Sequence, residues 1–477
     1  MARIVVIGAG LGSMAAAARL AVAGHRVTVY ESGATYGGGV RRFERDGFGF
    51  DTGPGLLHLP AVYRDLFVKT GKQPLEECVT LTQVDPASRH VFADGTRVDL
   101  PNASRAGTIA ALDAALGAGA GERWGAFMVR AREAWDRTRR PLLEEPQPED
   151  LSPLGREPYP APKAGLLRRP TTTLARIGDR ELRDPRLAAL LGSYAWSYGF
   201  DPATAPASAA VLPYMEQTFG SWYVAGGIRA LADAVYERCL QRRVEFVFDA
   251  SVERVLEKDG RACGVGLAGG ELVEADHVVS GVPVPLHHAE DRSIAPKGTE
   301  LRPGRPDATG RVTVCLALRG ARDSGAAHRT VVHASGDLPT VTVLRPDDPA
   351  LRPDAAHESA TVTATVRTAG GQGWDAVAER MLRQAEAAVP GLRERMLWHE
   401  VRTPEHTRHE TGVAEVPGPA LAGGGGRYLP EGNASLLPGL HFAGGWAHPG
   451  GGLAHAGMSG ALVAGLIVEG AEFRGSQ

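Results

Sequence analysis

Residues 3–31, RIVVIGAGLGSMAAAARLAVAGHRVTVYE, constrain the fold more than any other stretch of this chain. Residues 4–7 are a β-branched run of the kind found in strands buried on both faces. Gly8, Gly10 and Gly12 then make a tight turn. An alanine-rich segment over 13–23 reads as a helix ended by Gly24, and residues 27–30 read as a second strand. Strand, glycine turn, helix and strand make a βαβ unit, the opening of a doubly wound α/β sheet.

The chemistry of such a unit follows from its geometry. Gly8 permits the turn, Gly10 lets a pyrophosphate reach the backbone, and the helix start offers free N–H groups and the positive end of a dipole. Glu31 lies 23 residues after Gly8. A carboxylate there accepts hydrogen bonds from both ribose hydroxyls of an adenosine and disfavours a 2′-phosphate, so FAD or NAD is preferred to NADP. Ser13 stands where the last glycine of the usual motif would be, and is small enough for helix–strand packing. Residues 264–269, GVGLAG, match the same spacing but read as a β-hairpin with a Gly-Gly turn. One dinucleotide fold is therefore expected.

Three further stretches lengthen the ligand. GGGVRRFERDGFGFDTGPG (37–55) follows the ribose-binding acid, and WYVAGGIRALADAVYERCLQRRVEFVFDASV (222–252) supplies another glycine turn, helix and strand. After a short strand, DHVVS (276–280), the chain closes with FAGGWAHPGGGLAHAGMSG (442–460), read as a strand, glycine turns and a helix beginning near Met458. Glycine weakens regular structure, so such clusters indicate something lying against bare backbone. NAD gives no reason for them, whereas FAD has a ribityl chain and a three-ring isoalloxazine to accommodate.

This ordered set resembles the phytoene desaturase-like branch of the FAD-dependent amine oxidase and desaturase superfamily. The resemblance implies a glutathione-reductase-like (Rossmann-type) α/β FAD fold with an interleaved α+β substrate domain. Residues 1–75, 222–290 and 431–477 would form the FAD-binding domain, and 76–221 and 291–430 the substrate domain. It further implies Gly8, Gly10, Gly12 and Ser13 at the pyrophosphate, Glu31 at the ribose and the Val252 backbone at the adenine. Gly38, Gly39 and Gly53 would follow the cofactor, with Gly444, Gly445 and the turn before Met458 beside the flavin. The family's arginine after its second glycine pair is Gly39 here, leaving Arg41 or Arg42 as candidate replacements.

On the substrate side, residues 311–318 (RVTVCLAL) and 359–366 (SATVTATV) alternate as strands of a sheet with one covered face. Short strands are also expected over 79–84, 89–93 and 97–100. Trp124, Phe127, Met128, Ala131 and Trp135 fall at helical spacing and read as a core-facing stripe. Residues 141–164 are rich in proline and read as a loop. Tyr194, Trp196, Tyr198, Phe219 and Trp222, with Trp446, are candidates for an aromatic wall against an extended apolar substrate. Glu216 is a candidate acid/base if burial raises its pKa. His58, His448 and His455 lie in segments expected to border the flavin. His406 and His409 lack the further ligands a metal site needs.

The net charge of −3 gives no reason to expect nucleic acid. No stretch is long and apolar enough to cross a bilayer. KAGLLRRPTTTLARI (163–177) is a candidate for peripheral membrane contact, although a solvated helix end is the plainer reading. The four scattered cysteines, none in CxxC spacing, read as buried free thiols of a cytoplasmic protein.

The resemblance implies hydride transfer between flavin N5 and carbon of a small-molecule polyene. This would be desaturation, or NADPH-driven reduction or cyclisation as in polycyclic tetramate macrolactam pathways. A carotenoid desaturase proper, a flavin amine oxidase and a non-catalytic flavoprotein remain alternatives, and the oligomeric state is open.

Overall fold

Five parallel strands build the sheet that opens the chain: β1 (Arg3–Ile7), β2 (Arg26–Tyr30), β3 (Glu245–Val247), β4 (His277–Ser280) and β5 (Leu440–Phe442). Their spatial order is β3-β2-β1-β4-β5. The order reverses direction between β1 and β4, and ligands bind at such a switch point, outside the carboxyl ends of the strands. Gly8 and Gly10 follow the carboxyl end of β1, and Gly281 and Val282 that of β4. The computed structural model describes residues 1–161, 171–282, 309–367 and 373–475. Residues 163–170 of the candidate membrane-contact stretch lie outside them, as does the expected domain boundary at 290/291.

Helix α1 (Leu11–Val22) runs from the glycine turn across the sheet. Its residues from Leu11 to Ala18 are all buried, because it is covered by α2 (Ile228–Gln241) and by α3 (Leu453–Glu469). Small side chains make this crossing possible. A Cβ on Gly460 would stand 2.4 Å from the Gly12 carbonyl oxygen and 2.7 Å from the Ala16 nitrogen. The alanine run of α1 is therefore a packing surface as much as a helix-forming sequence.

The second layer is a seven-stranded mixed sheet. It is ordered Met396–Arg402, Thr309–Arg319, His357–Arg367, Val341–Leu344, Arg329–Val332, Ser88–Val91 and Arg97–Leu100. The alternating segments predicted from sequence form its long central pair, antiparallel from Thr309↔Arg367 to Arg319↔His357. Val312, Val314, Leu316, Ala360, Val362 and Ala364 face the helix Trp374–Ala385 and form one apolar cluster with it.

The expected helix with an aromatic stripe spans Ala120–Arg139, with Trp124, Phe127, Met128, Ala131 and Trp135 all buried. The GVGLAG stretch is a hairpin, Arg261–Leu267 against Leu272–Glu274, as its Gly-Gly turn predicts. All four cysteines are free; Cys239 and Cys315 are buried, whereas Cys78 and Cys263 are only partly so. No described helix is long and apolar enough to cross a membrane.

Candidate functional site

A continuous cleft of about 760 Å³ runs between the two layers. One end lies at the switch point of the parallel sheet, where Gly8, Gly10, Gly12, Ser13, Glu31, Val252 and Val282 line it. Glu31 is 7% exposed: its Oε2 accepts from Ala9 N at 2.7 Å and its Oε1 from Gly33 N at 2.8 Å. The Ser32 hydroxyl also donates to Oε1; these bonds hold the carboxylate at the cleft wall, and Oε2 keeps acceptor capacity for a ligand hydroxyl. No side chain caps α1, whose N-cap is Gly10. A Cβ on Gly10 would meet nothing within 4 Å. That open space beside uncapped helix N–H groups suits an anionic group lying against bare backbone.

Gly38 and Gly39 also line the cleft, backed by Gly53, whose Cβ would stand 2.3 Å from the Gly39 oxygen. Ser13 Oγ lies where a Cβ on Gly281 would be, so the serine packs the helix onto the end of β4. Gly12 differs from Gly10. Its missing Cβ would fall 2.6 Å from Gly444 Cα and 2.7 Å from the Ala456 oxygen. It brings the two ends of the chain together as well as lining the cleft.

Neither candidate replacement for the family arginine turns into the cleft. Arg41 donates to the Gly38 and Glu410 carbonyls, and Arg42 to the Ala350 carbonyl.

Farther along, Gly444, Gly445 and Trp446 line the cleft, followed by Gly452–Ala456. Helix α3 starts at Leu453, five residues before the predicted start, and its Gly452 N-cap carries no side-chain cap. Met458 consequently lies more than a turn into the helix, outside the lining. It packs against Leu59, Val62, Trp135 and Met215 instead. Glycine at φ +102 permits the abrupt entry at position 452, which the sequence reading placed too late.

The expected aromatic wall divides. Trp196, Tyr198 and Trp446 line the cleft. Tyr194 is instead in the substrate-layer core, where its hydroxyl accepts from Gln217. Phe219 is 38% exposed and packs on Trp135, while Trp222 lies under the Arg64 guanidinium. Helical and strand periodicity put these three on the wrong faces.

Glu216 and His58 meet at the far end of the cleft. Glu216 Oε2 accepts from both terminal nitrogens of Arg329 at 2.9 Å, and Oε1 lies 3.6 Å from His58 Nε2. The Tyr198 hydroxyl also bonds this carboxylate. Burial alone would raise the Glu216 pKa, but the Arg329 guanidinium, helped by the Tyr198 hydroxyl, outweighs it and holds the carboxyl below its usual value. The raised pKa that an acid/base role required is absent: Glu216 is an ionised anchor for Arg329.

His448 does not open on the cleft. It is fully buried, lies 2.9 Å from the Glu145 carbonyl oxygen through Nε2, and is pushed down to about 4 by burial. The imidazoles that do line the cleft near the flavin-expected segments are His58 and His455. Burial lowers both, His455 to about 4, so both are neutral at physiological pH. His406 caps the helix Pro404–Thr411 through Thr403, and no metal-holding group occurs among the described residues.

Sequence reasoning missed Arg311, Arg329 and the threonines of the large sheet that line the cleft. The signal was present: in RVTV and TVTATV the threonines occupy the positions between the core valines.

The open turn at Gly10 yields a first expected outcome. Gly10 has φ −70, which alanine adopts freely. Gly10→Ala should leave the melting midpoint of flavin-free protein unchanged while weakening FAD binding by about 1–3 kcal/mol, since the new methyl fills ligand space. Differential scanning fluorimetry and FAD titration would separate the two effects.

The sequence pattern of the family described as flavin containing amine oxidoreductase matches residues 13–468. The 4,4′-diapolycopene oxygenase of Methylomonas sp is 29% identical over 98% of each chain. The zeta-carotene-forming phytoene desaturase of Myxococcus xanthus is 33% identical over 63% of this chain and 56% of that one. Among solved structures, an oxidoreductase from Methanosarcina mazei superposes with a TM-score of 0.69 at 16% identity, covering 97% of this chain and 99% of that one. A triple mutant of putrescine oxidase superposes with a TM-score of 0.66 at 17% identity, covering 98% and 99%. The two structures establish the fold, and the family match runs from Ser13 in α1, just after the glycine turn, to Val468 near the end of α3. The chain belongs to the flavin containing amine oxidoreductases, as a phytoene desaturase-like FAD-dependent oxidoreductase.

Proposed function

We propose that this chain transfers hydride between FAD and a carbon atom of an extended, conjugated polyene. The observation that carries the reading is the continuous cleft, which joins the Glu31 end to a chamber walled by Trp196, Tyr198 and Trp446. The relatives named for phytoene, hydroxyneurosporene and diapolycopene support a polyene as the substrate class. FAD supplies the two-electron exchange when bound.

The protein's contribution is to bind, orient and exclude water. In this reading Glu31 accepts the adenosine ribose hydroxyls, the Val252 backbone adjoins the adenine, and Gly8 to Ser13 hold the pyrophosphate. Gly444, Gly445 and the α3 N-terminus lie beside the flavin ring. The positive end of the α3 dipole favours negative charge at that point of the cleft. His58 and His455 are neutral, so each can accept a proton at a ring nitrogen without first losing one. Residues 1–75, 222–290 and 431–477 serve the cofactor, and 76–221 and 291–430 the substrate.

A second reading, reductive use of NADPH on a polyene bearing a polar ring as in polycyclic tetramate macrolactam formation, is favoured by one observation. The sheet wall of the chamber carries threonines and arginines rather than aliphatic residues alone.

Anaerobic titration of the FAD-loaded protein tests both. Bleaching of the flavin band by a carotenoid precursor supports oxidative desaturation, and bleaching by NADPH supports reductive use. Bleaching by putrescine but by neither polyene nor NADPH would sink the carbon–carbon reading in favour of an amine oxidase.

A further inference from the structure

The large sheet is two-faced. On the helix side its central strands present valine, leucine and alanine. On the cleft side they present Thr313, Thr342, Thr363 and Thr365, with Arg311, Arg329 and Arg402 among them. Valine and threonine are nearly equal in shape and both favour strands, so the strand requirement does not explain this division. It installs hydroxyls and cations in the chamber, and a pure hydrocarbon would leave those without a protein partner unpaired.

The three arginines are not equivalent. Arg329 is neutralised by Glu216 and Arg402 by Glu410. Arg311 forms no ion pair among the described residues. A guanidinium has five N–H donors, and Arg311 spends one on the Ser197 carbonyl at the C-terminus of the helix Pro185–Ser197. Its Nε is shielded from solvent and has no partner. Glu415 lines the same cleft and its backbone bridges Gly310, yet it makes no ion pair with Arg311. Burial with no compensating carboxylate pulls the guanidinium pKa below its usual value.

We propose that Arg311, with Thr313 on its own strand and Thr363 paired to that threonine on the next, receives an anionic head group at one end of the polyene substrate. The chemistry it fits is a two-oxygen monoanion, either a carboxylate or the enolate of an acidic dicarbonyl. Such a group accepts two parallel N–H bonds from the guanidinium fork and further bonds from threonine hydroxyls. The conjugated chain then extends past Trp196 and Trp446. This assignment rests on the chamber being the substrate site of the proposed oxidoreductase.

The test is binding to FAD-loaded protein, followed by quenching of tryptophan fluorescence. Three polyene probes are compared: retinoic acid, retinol and a polyenoyl tetramic acid. Wild-type protein should bind the two acids more tightly than retinol, by roughly ten- to a hundredfold. Arg311→Gln should abolish that preference while keeping wild-type FAD content and melting midpoint, and Arg311→Lys should retain part of it. Whichever acid binds more tightly identifies the source of the anion.

Equal affinity for acid and alcohol, a preference that survives Arg311→Gln, or binding of no probe would overturn the assignment. An Arg311-dependent preference with no change in flavin oxidation state under any probe or NADPH would uphold the anion site. That same result would remove the carbon–carbon chemistry.

Discussion

Gly12→Ala is expected to yield a protein that neither retains FAD nor reaches its normal stability, with a loss of about 3 kcal/mol or more. The new methyl would stand 2.6 Å from Gly444 Cα, 2.7 Å from the Ala456 oxygen and 2.8 Å from Gly444 N. All three are backbone atoms, and they belong to the turn after β5 and to α3. A flexible side chain would swing aside, but here α1 and the C-terminal segment must separate. The same movement opens the cleft between the residues assigned to the pyrophosphate and to the flavin. Chemical denaturation and the flavin-to-protein absorbance ratio measure the two losses. Because Gly10→Ala should affect binding alone, the pair of variants separates packing from ligand contact two residues apart. Retention of FAD and full stability in Gly12→Ala would contradict the close crossing.

The second large effect is expected at Glu216 and Arg329. Their side chains are 5% and 13% exposed, and removing either partner leaves the other as a buried, unpaired charge. Glu216→Gln and Arg329→Met should each cost about 3–5 kcal/mol. The double variant should cost much less than the sum, since neither charge then remains. Strict additivity would show that the pair is not coupled. The pH dependence has a definite sign. The folded-state pKa of Glu216 lies below its unfolded value, so its contribution is fully present above that unfolded value. It is lost as pH falls through the folded pKa. The deficit of Arg329→Met should therefore shrink on acidification, as the orphaned carboxylate takes up a proton.

The parallel sheet was legible in the sequence because its signals are local. The run at 4–7, the spacing of Gly8, Gly10 and Gly12, and Glu31 at the tip of β2 act within one βαβ unit. The hairpin at 261–274 was legible for the same reason. Side-chain destinations were harder wherever a segment had two plausible faces. Tyr194, Phe219 and Trp222 look alike in sequence, yet one is core, one is surface and one lies under an arginine. Glu216 stands out in the sequence as a candidate acid only if burial raises its pKa, and its partner Arg329 lies 113 residues away on another element. No pattern local to Glu216 announced the ion pair that reverses its expected pKa shift. Met458 and His448 were misplaced by local errors of a few residues in where a helix begins and which way a turn faces.

The crossing of α1 with α3 and the pairing of β4 with β5 carry a consequence for biosynthesis. The first strand and helix leave the ribosome well before their partners at 440–469 are made. Until then the alanine face of α1 and one edge of the sheet are uncovered, so the nascent chain must be kept from associating with its neighbours. If the proposed cofactor assignment holds, FAD has no complete site until residue 469 has been made.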